Sequence, residues 1–111
     1  MDQVPFDQLT YARFSALVKT RFRVLADATT RIELELAKAT QLQSQRRPNS
    51  DGTIQTYECF SLSFNGPGSR CLEQKMYEFE HDELGTFSLF MVPIGKTLDS
   101  FQYEVVFNRL A

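Results

Sequence analysis

The sequence predicts a mainly β fold of the α+β kind: a small antiparallel sheet or partly closed barrel of about six strands with one N-terminal helix. Two observations carry this. Apolar and polar residues alternate in run after run, from RIELEL at Arg31–Leu36 through CFSLSF at Cys59–Phe64 and YEFEH at Tyr77–His81 to FQYEVVF at Phe101–Phe107, so each run buries one face and wets the other. Stretches rich in turn-forming residues separate these runs, and only a segment near the start spaces its apolar residues by three and four instead. The chain of 111 residues, 42% hydrophobic and 13% aromatic, has the bulk for one core, so residues 1–111 read as a single small β-rich domain needing neither metal nor disulfide staples.

In chain order, Thr10 offers a hydroxyl able to cap the first free amides of a helix, and Tyr11, Phe14, Leu17 and Val18 then share one helical face. That face must cover a sheet or a sheet end. FRVLA, Phe22 to Ala26, reads as the first strand and turns at Asp27-Ala28-Thr29. RIELELAKATQL, Arg31 to Leu42, has the composition of a helix, yet Ile32, Leu34 and Leu36 alternate with Arg31, Glu33 and Glu35, and the period decides for strand. Gln43 to Gly52 has no bulky apolar residue and gathers Pro48, Asn49, Ser50, Asp51 and Gly52, which predicts a mobile loop. In TYECFSLSFNGPGS, Phe60, Leu62 and Phe64 face one way and Cys59, Ser61 and Ser63 the other. This strand is expected to stop at Asn65-Gly66-Pro67-Gly68, where positive φ is tolerated and Pro67 has no amide to donate. MYEFEH and TFSLFMVPI form a hairpin around Asp82, Glu83 and Gly85, and FQYEVVFN closes the fold with Phe101, Tyr103, Val105 and Phe107 facing the core.

His81, the one histidine, sits among Glu80, Asp82 and Glu83. Zinc needs several converging nitrogen, sulfur or carboxylate ligands, and no second histidine is present. General acid–base work would need a nucleophile, oxyanion donors or a cofactor motif beside the ring. The pattern therefore makes His81 a structural or solvated hairpin end, cheap to replace. Asn65-Gly66-Pro67-Gly68 lacks the Lys and Ser or Thr of a phosphate loop, so no catalytic residue, cofactor or metal is assigned.

Charge narrows the partners. Lys and Arg number 12 against 14 Asp and Glu, for a net charge of −2, and the only basic cluster is Arg46-Arg47, so nucleic acid is disfavoured. There is no apolar run of about 20 residues to span a bilayer, and MDQVPFDQLT carries acids where a secretion signal needs bases, so a cytoplasmic protein is expected. Cys59 and Cys71 are expected to be free thiols. The strand TFSLFMVPI is apolar on both faces: Phe87, Leu89 and Met91 on one, Phe90, Val92 and Ile94 on the other. Either the N-terminal helix covers the second face or Phe90, Val92 and Ile94 form a subunit or partner interface.

The segments FSLSFNGP, LGTFSLFMVPIG and YEVVFN, together with the opening LTYARFSALVKTRFRV, resemble an uncharacterised bacterial family of small single domains of about a hundred residues. In that family the stretch after the Gly-Pro turn usually reads L-P-Q-G-x-Y; here it is Leu72-Glu73-Gln74-Lys75-Met76-Tyr77, so the Pro and Gly are replaced. The resemblance implies no catalytic residues and a structural or accessory setting, akin to phage-tail-derived proteins. Two functions are thus set against each other. The first is a non-enzymatic structural or protein-interaction domain, accessory to a larger assembly, with a protein partner or self-association. The second is a small-ligand-binding β-barrel or minor enzyme with a pocket near Tyr77, His81 and Tyr103, with Arg109 as a further polar group. Polar groups converging on an interior cavity would favour the second, and a solid core with an outer apolar patch the first.

Overall fold

The computed structural model describes residues 4–5, 8–42 and 45–110. A short helix, α1 (Tyr11–Ser15), precedes strands β1 (Arg21–Leu25), β2 (Arg31–Gln41), β3 (Gln45–Pro48), β4 (Ile54–Pro67), β5 (Lys75–His81), β6 (Gly85–Lys96) and β7 (Ser100–Leu110). Six strands close into an antiparallel barrel in the order β2-β1-β5-β6-β7-β4, because β4 pairs back onto β2. These are the six expected from alternation, and Arg31–Gln41 is a strand despite its helix-forming composition. Closure pairs the strands round the barrel, although β1–β5 is joined only at Arg23–Val24 with Phe79–Glu80 and β6–β7 only at Val92–Lys96 with Phe101–Glu104. Bulges between Leu36 and Lys38 and between Pro93 and Gly95 bend the wall, and the second accommodates a proline where the ladder slips.

The extra strand corrects the loop expected at Gln43–Gly52. Gln45–Pro48 pairs with Ile54–Tyr57 as a hairpin arm, continuing β2 along the same edge of β4. At its tip Asn49 N–H donates to the Thr53 carbonyl at 2.7 Å, and Asp51 accepts from the Thr53 amide and hydroxyl at 3.0 and 2.7 Å. Composition misled because an arm with both faces in water needs no apolar residue: Arg46, Arg47 and Pro48 are all exposed.

The expected stop at Asn65-Gly66-Pro67-Gly68 is also corrected. β4 runs through Pro67, pairing Gly66 with Phe101 and Pro67 with Ser100. Positive φ occurs at Gly52 and Gly85, not at Gly66. Gly66 is needed for closeness instead: a β-carbon there would lie 2.6 Å from Leu34 Cδ2 and 3.1 Å from Tyr103 Cε2.

Inside the barrel, Phe22 and Val24 of β1, Leu34 and Leu36 of β2, Phe60, Leu62 and Phe64 of β4, Tyr77 and Phe79 of β5, Phe87, Leu89 and Met91 of β6, and Tyr103, Val105 and Phe107 of β7 are buried. Both ends are stoppered. At one end Thr10 Oγ1 caps α1 by accepting from Arg13 N–H at 3.2 Å, and the helix lasts a single turn. Its Phe14, fully buried, reaches the rings of Phe22, Phe60, Phe87 and Phe107 at centroid distances of 5.5–6.3 Å. The β6–β7 ladder pairs Val92–Lys96 with Phe101–Glu104; nearer α1 the chain's own N-terminal segment joins β6, with Val4 N–H donating to the Thr86 carbonyl at 2.7 Å. At the other end the segment after β4 folds over the mouth and buries Leu72.

Candidate functional site

The wall formed by β5, β6 and β7 carries the most apolar part of the outer surface. Side chains alternate across a strand, so burial of Tyr77, Leu89 and Val105 turns Met76, Phe90 and Val106 outward. Met76 lies directly opposite Phe90 in the β5–β6 ladder. Val92 lies opposite Glu104, and two residues beyond that pair on their strands come Phe90 and Val106. Met76 and Phe90 thus form an apolar pair across β5 and β6, 60% and 47% exposed, and Val106, 60% exposed, faces outward on β7 just past the end of the β6–β7 ladder. Ile94, 53% exposed, and the half-buried Val92 extend this apolar band along β6. Glu78 and Glu104 stand on either side of the band on the same outer face.

Of the two coverings considered for Phe90, Val92 and Ile94, the helix is excluded. α1 stoppers the barrel end and leaves this wall to solvent, because Phe14 goes into the core among four rings. Met76 and Val106 complete the band and were not singled out from sequence. The doublet Val105-Val106, which breaks the alternation of the last strand, was the available signal; Met76 became relevant only with the β5–β6 register.

Tyr77, His81 and Tyr103 do not form a common pocket. His81 lies four residues along β5 from Tyr77, roughly 13 Å at about 3.3 Å per residue. Tyr77 and Tyr103 work at the mouth opposite α1: the Tyr77 hydroxyl donates to the Glu73 carbonyl at 2.7 Å, and the Tyr103 oxygen accepts Leu72 N–H at 2.9 Å. Burial pushes both phenols above their ordinary pKa, so they hold protons and pin the closing segment. The side chain of Arg109 lies outside the described residues.

His81 is at the hairpin end, as the pattern indicated, but it is not a solvated residue. It is 6% exposed, with its ring centroid 4.3 Å from that of Phe22. Nδ1 accepts the amides of Glu83 and Leu84 at 3.0 and 3.3 Å, and Nε2 lies 2.9 Å from Thr20 Oγ1. Burial holds its pKa below the ordinary value, against the opposing pull of Glu83 and Asp82. The neighbouring Glu80 belongs instead to an outer network, accepting from Arg31 Nε at 2.8 Å with Arg23 Nε at 3.7 Å, and Arg31 holds its carboxyl below the ordinary range.

A cleft of about 570 Å³ lies between Arg21, Arg31, Glu33 and Glu35 on one side and Asn65 and Pro67 on the other. Its walls include the exposed Arg21–Glu33 pair at 3.4 Å, a solvated arrangement rather than a set of buried reactive groups. Among the described residues no group of three or more His, Cys, Asp or Glu side chains is placed to hold a metal ion. Cys59 and Cys71 are free thiols; Cys71 is exposed, whereas Cys59, expected on the wetter face, is buried with its thiol 3.4 Å from Asn108 Oδ1. No helix among the described residues is long and apolar enough to cross a membrane.

A family model described as a domain of unknown function, DUF6916, matches residues 9–107. No curated protein and no solved structure matches the chain. The match spans α1 and all seven strands almost to the end of β7, and the chain belongs to this family.

Proposed function

We propose that this member of the DUF6916 family is a non-enzymatic structural or protein-interaction domain that works by surface contact through the band of Met76, Phe90, Val92, Ile94 and Val106. The supporting observation is the coincidence of a filled barrel with large apolar side chains left exposed together on one wall. Exposed apolar area concentrated in one place marks contact surfaces in soluble proteins. The band occupies rigid strands, which present side chains in fixed positions and spare a partner the entropy of ordering a loop. The reading places the domain as an accessory piece of a larger assembly of the phage-tail-like kind, joined by self-association or by docking on another protein. A reducing, cytoplasmic setting accords with two thiols left unpaired. It gives no role to nucleic acid, membrane, cofactor or metal.

Phe90→Asp tests it. Phe90 is half exposed, so the carboxylate can reach water and the barrel should stay folded by circular dichroism. Light scattering of the purified protein, and of the complex it forms in its native host, should then show a smaller assembly. A folded variant with unchanged size and unchanged complex would refute the reading, as would a variant that unfolds, since that would make Phe90 a core residue.

A further inference from the structure

Three elements meet at the stoppered end: the N-terminal plug, the start of β1 and the β5–β6 turn. His81 touches all of them. Its ring packs on Phe22, its Nδ1 accepts from Glu83 and Leu84, and its Nε2 faces Thr20, whose hydroxyl donates to the Leu17 carbonyl at 2.6 Å. Because Nδ1 already accepts two N–H groups, the proton of the neutral ring resides on Nε2, and donation runs from His81 through Thr20 to Leu17. Leu17 and Leu84, both buried, line one cleft with Arg13, Ala16 and Glu83, so the plug and the turn pack side by side. The joint between plug and β1 is strained. Lys19 has φ +74°, in the left-handed region that residues with a side chain avoid, and its amide is held by the Leu36 carbonyl at 2.6 Å.

We propose that His81 is a proton-sensitive latch: neutral, it ties the β5–β6 turn to the N-terminal plug, and on taking a second proton it lets go and loosens the hold of residues 11–20 on the barrel end, which Phe14 still anchors. A proton on Nδ1 would point at two N–H donors within hydrogen-bond distance, so the charged ring cannot stay where the neutral ring sits. As the ring leaves, the Thr20 hydroxyl loses its tie to the β5–β6 turn and keeps only the Leu17 carbonyl, so one of the contacts that hold the strained joint at Lys19 is gone. The surrounding charges are mixed. Asp82 and Glu83 on the turn favour the charged ring and Arg23 on β1 opposes it; Arg21 and Glu33 share the cleft, and Arg13 of α1 stands beside Glu83. Burial outweighs the carboxylates, so the docked ring binds its proton at lower pH than a released one, whose ordinary value is 6.5. Above that value both rings are neutral and docking is intact, and docking weakens as the pH falls below it, because the released ring takes its proton more readily than the docked one.

The lone histidine makes the test unambiguous. In nitrogen-15 NMR of the full chain, the ring should show the Nε2–H tautomer at neutral pH and titrate below 6.5. Amide signals of residues 11–20 and of Glu83 and Leu84 should shift with that same midpoint. Hydrogen exchange, corrected for its intrinsic pH dependence, should show at least a tenfold loss of protection in residues 11–20 while β4 and β7 stay protected. Thr20→Val, which removes the relay hydroxyl, should cause the same selective loss already at neutral pH. Titration of His81 with residues 11–20 unmoved, simultaneous loss of protection in plug and barrel, or unchanged plug protection in Thr20→Val would each overturn the latch.

Discussion

Gly66→Ala adds one methyl group to the barrel wall near the end of β4, where the strand crosses Leu34 and Tyr103. The new β-carbon would lie 2.6 Å from Leu34 Cδ2 and 3.1 Å from Tyr103 Cε2, the first well inside contact distance. Neither neighbour can give way cheaply. Leu34 is fully buried, and the Tyr103 ring, also fully buried, is tethered through its hydroxyl to Leu72 N–H at 2.9 Å. The backbone at Gly66 is not in the positive-φ region, so the cost is steric rather than conformational. Forcing an extra methylene-sized group into a packed core typically costs about 1–3 kcal/mol. For a domain of this size that corresponds to a melting temperature lowered by about 5–20 °C. Urea unfolding followed by far-ultraviolet circular dichroism reads the free energy directly, and an unchanged slope would show that the unfolded state is not responsible. Pairing the change with Leu34→Ala adds a check: the smaller neighbour makes room, so the two effects should be less than additive. A Gly66→Ala protein as stable as the parent would refute the close approach of β2, β4 and β7 on which this reasoning rests.

Two further outcomes follow from contacts already described. Tyr103→Phe keeps the ring but leaves the buried Leu72 amide without its acceptor, and should cost about 1–3 kcal/mol in the same urea assay; a neutral effect would mean that the closing segment is not pinned there. In the native protein an alkylating reagent should label the exposed Cys71 quickly and the buried Cys59 only after unfolding, as read by mass spectrometry, and equal labelling rates would contradict the burial of Cys59.

Much of the barrel was legible because a strand with one wet face writes its period into the sequence. Ile32, Leu34 and Leu36, or Tyr103, Val105 and Phe107, identify their inner face without reference to any partner. A partly closed barrel was among the expectations, but the strand order was not legible, since alternation says which face is buried and not which strand lies beside which; the return of β4 onto β2 is a property of pairing alone. β3 escaped notice because its pairing serves an arm with no core to cover. Gly66 was read through its conformational freedom when its role is its lack of volume, a requirement set by residues far away in sequence. The candidate site was half legible: Phe90, Val92 and Ile94 declared themselves by making one strand apolar on both faces, while Met76 and Val106 needed the register. The alternation of YEFEH puts His81 on the buried face with Tyr77 and Phe79, but the acids beside it drew attention to the turn and away from the burial that this face implies.

The closed wall has a consequence for how this domain could be multiplied. A sheet that ends in open strands can grow by backbone pairing, adding copies without limit and with little regard for side chains. Here six strands pair round to one another, and among the described residues the strand at the margin of the sheet is β3, four residues long and carrying Arg46, Arg47 and Pro48. Two charges and a residue with no N–H make it a poor template for a neighbouring chain. Order among crowded copies would then be written more in side-chain chemistry, where a single substitution can erase it, than in backbone pairing at this margin.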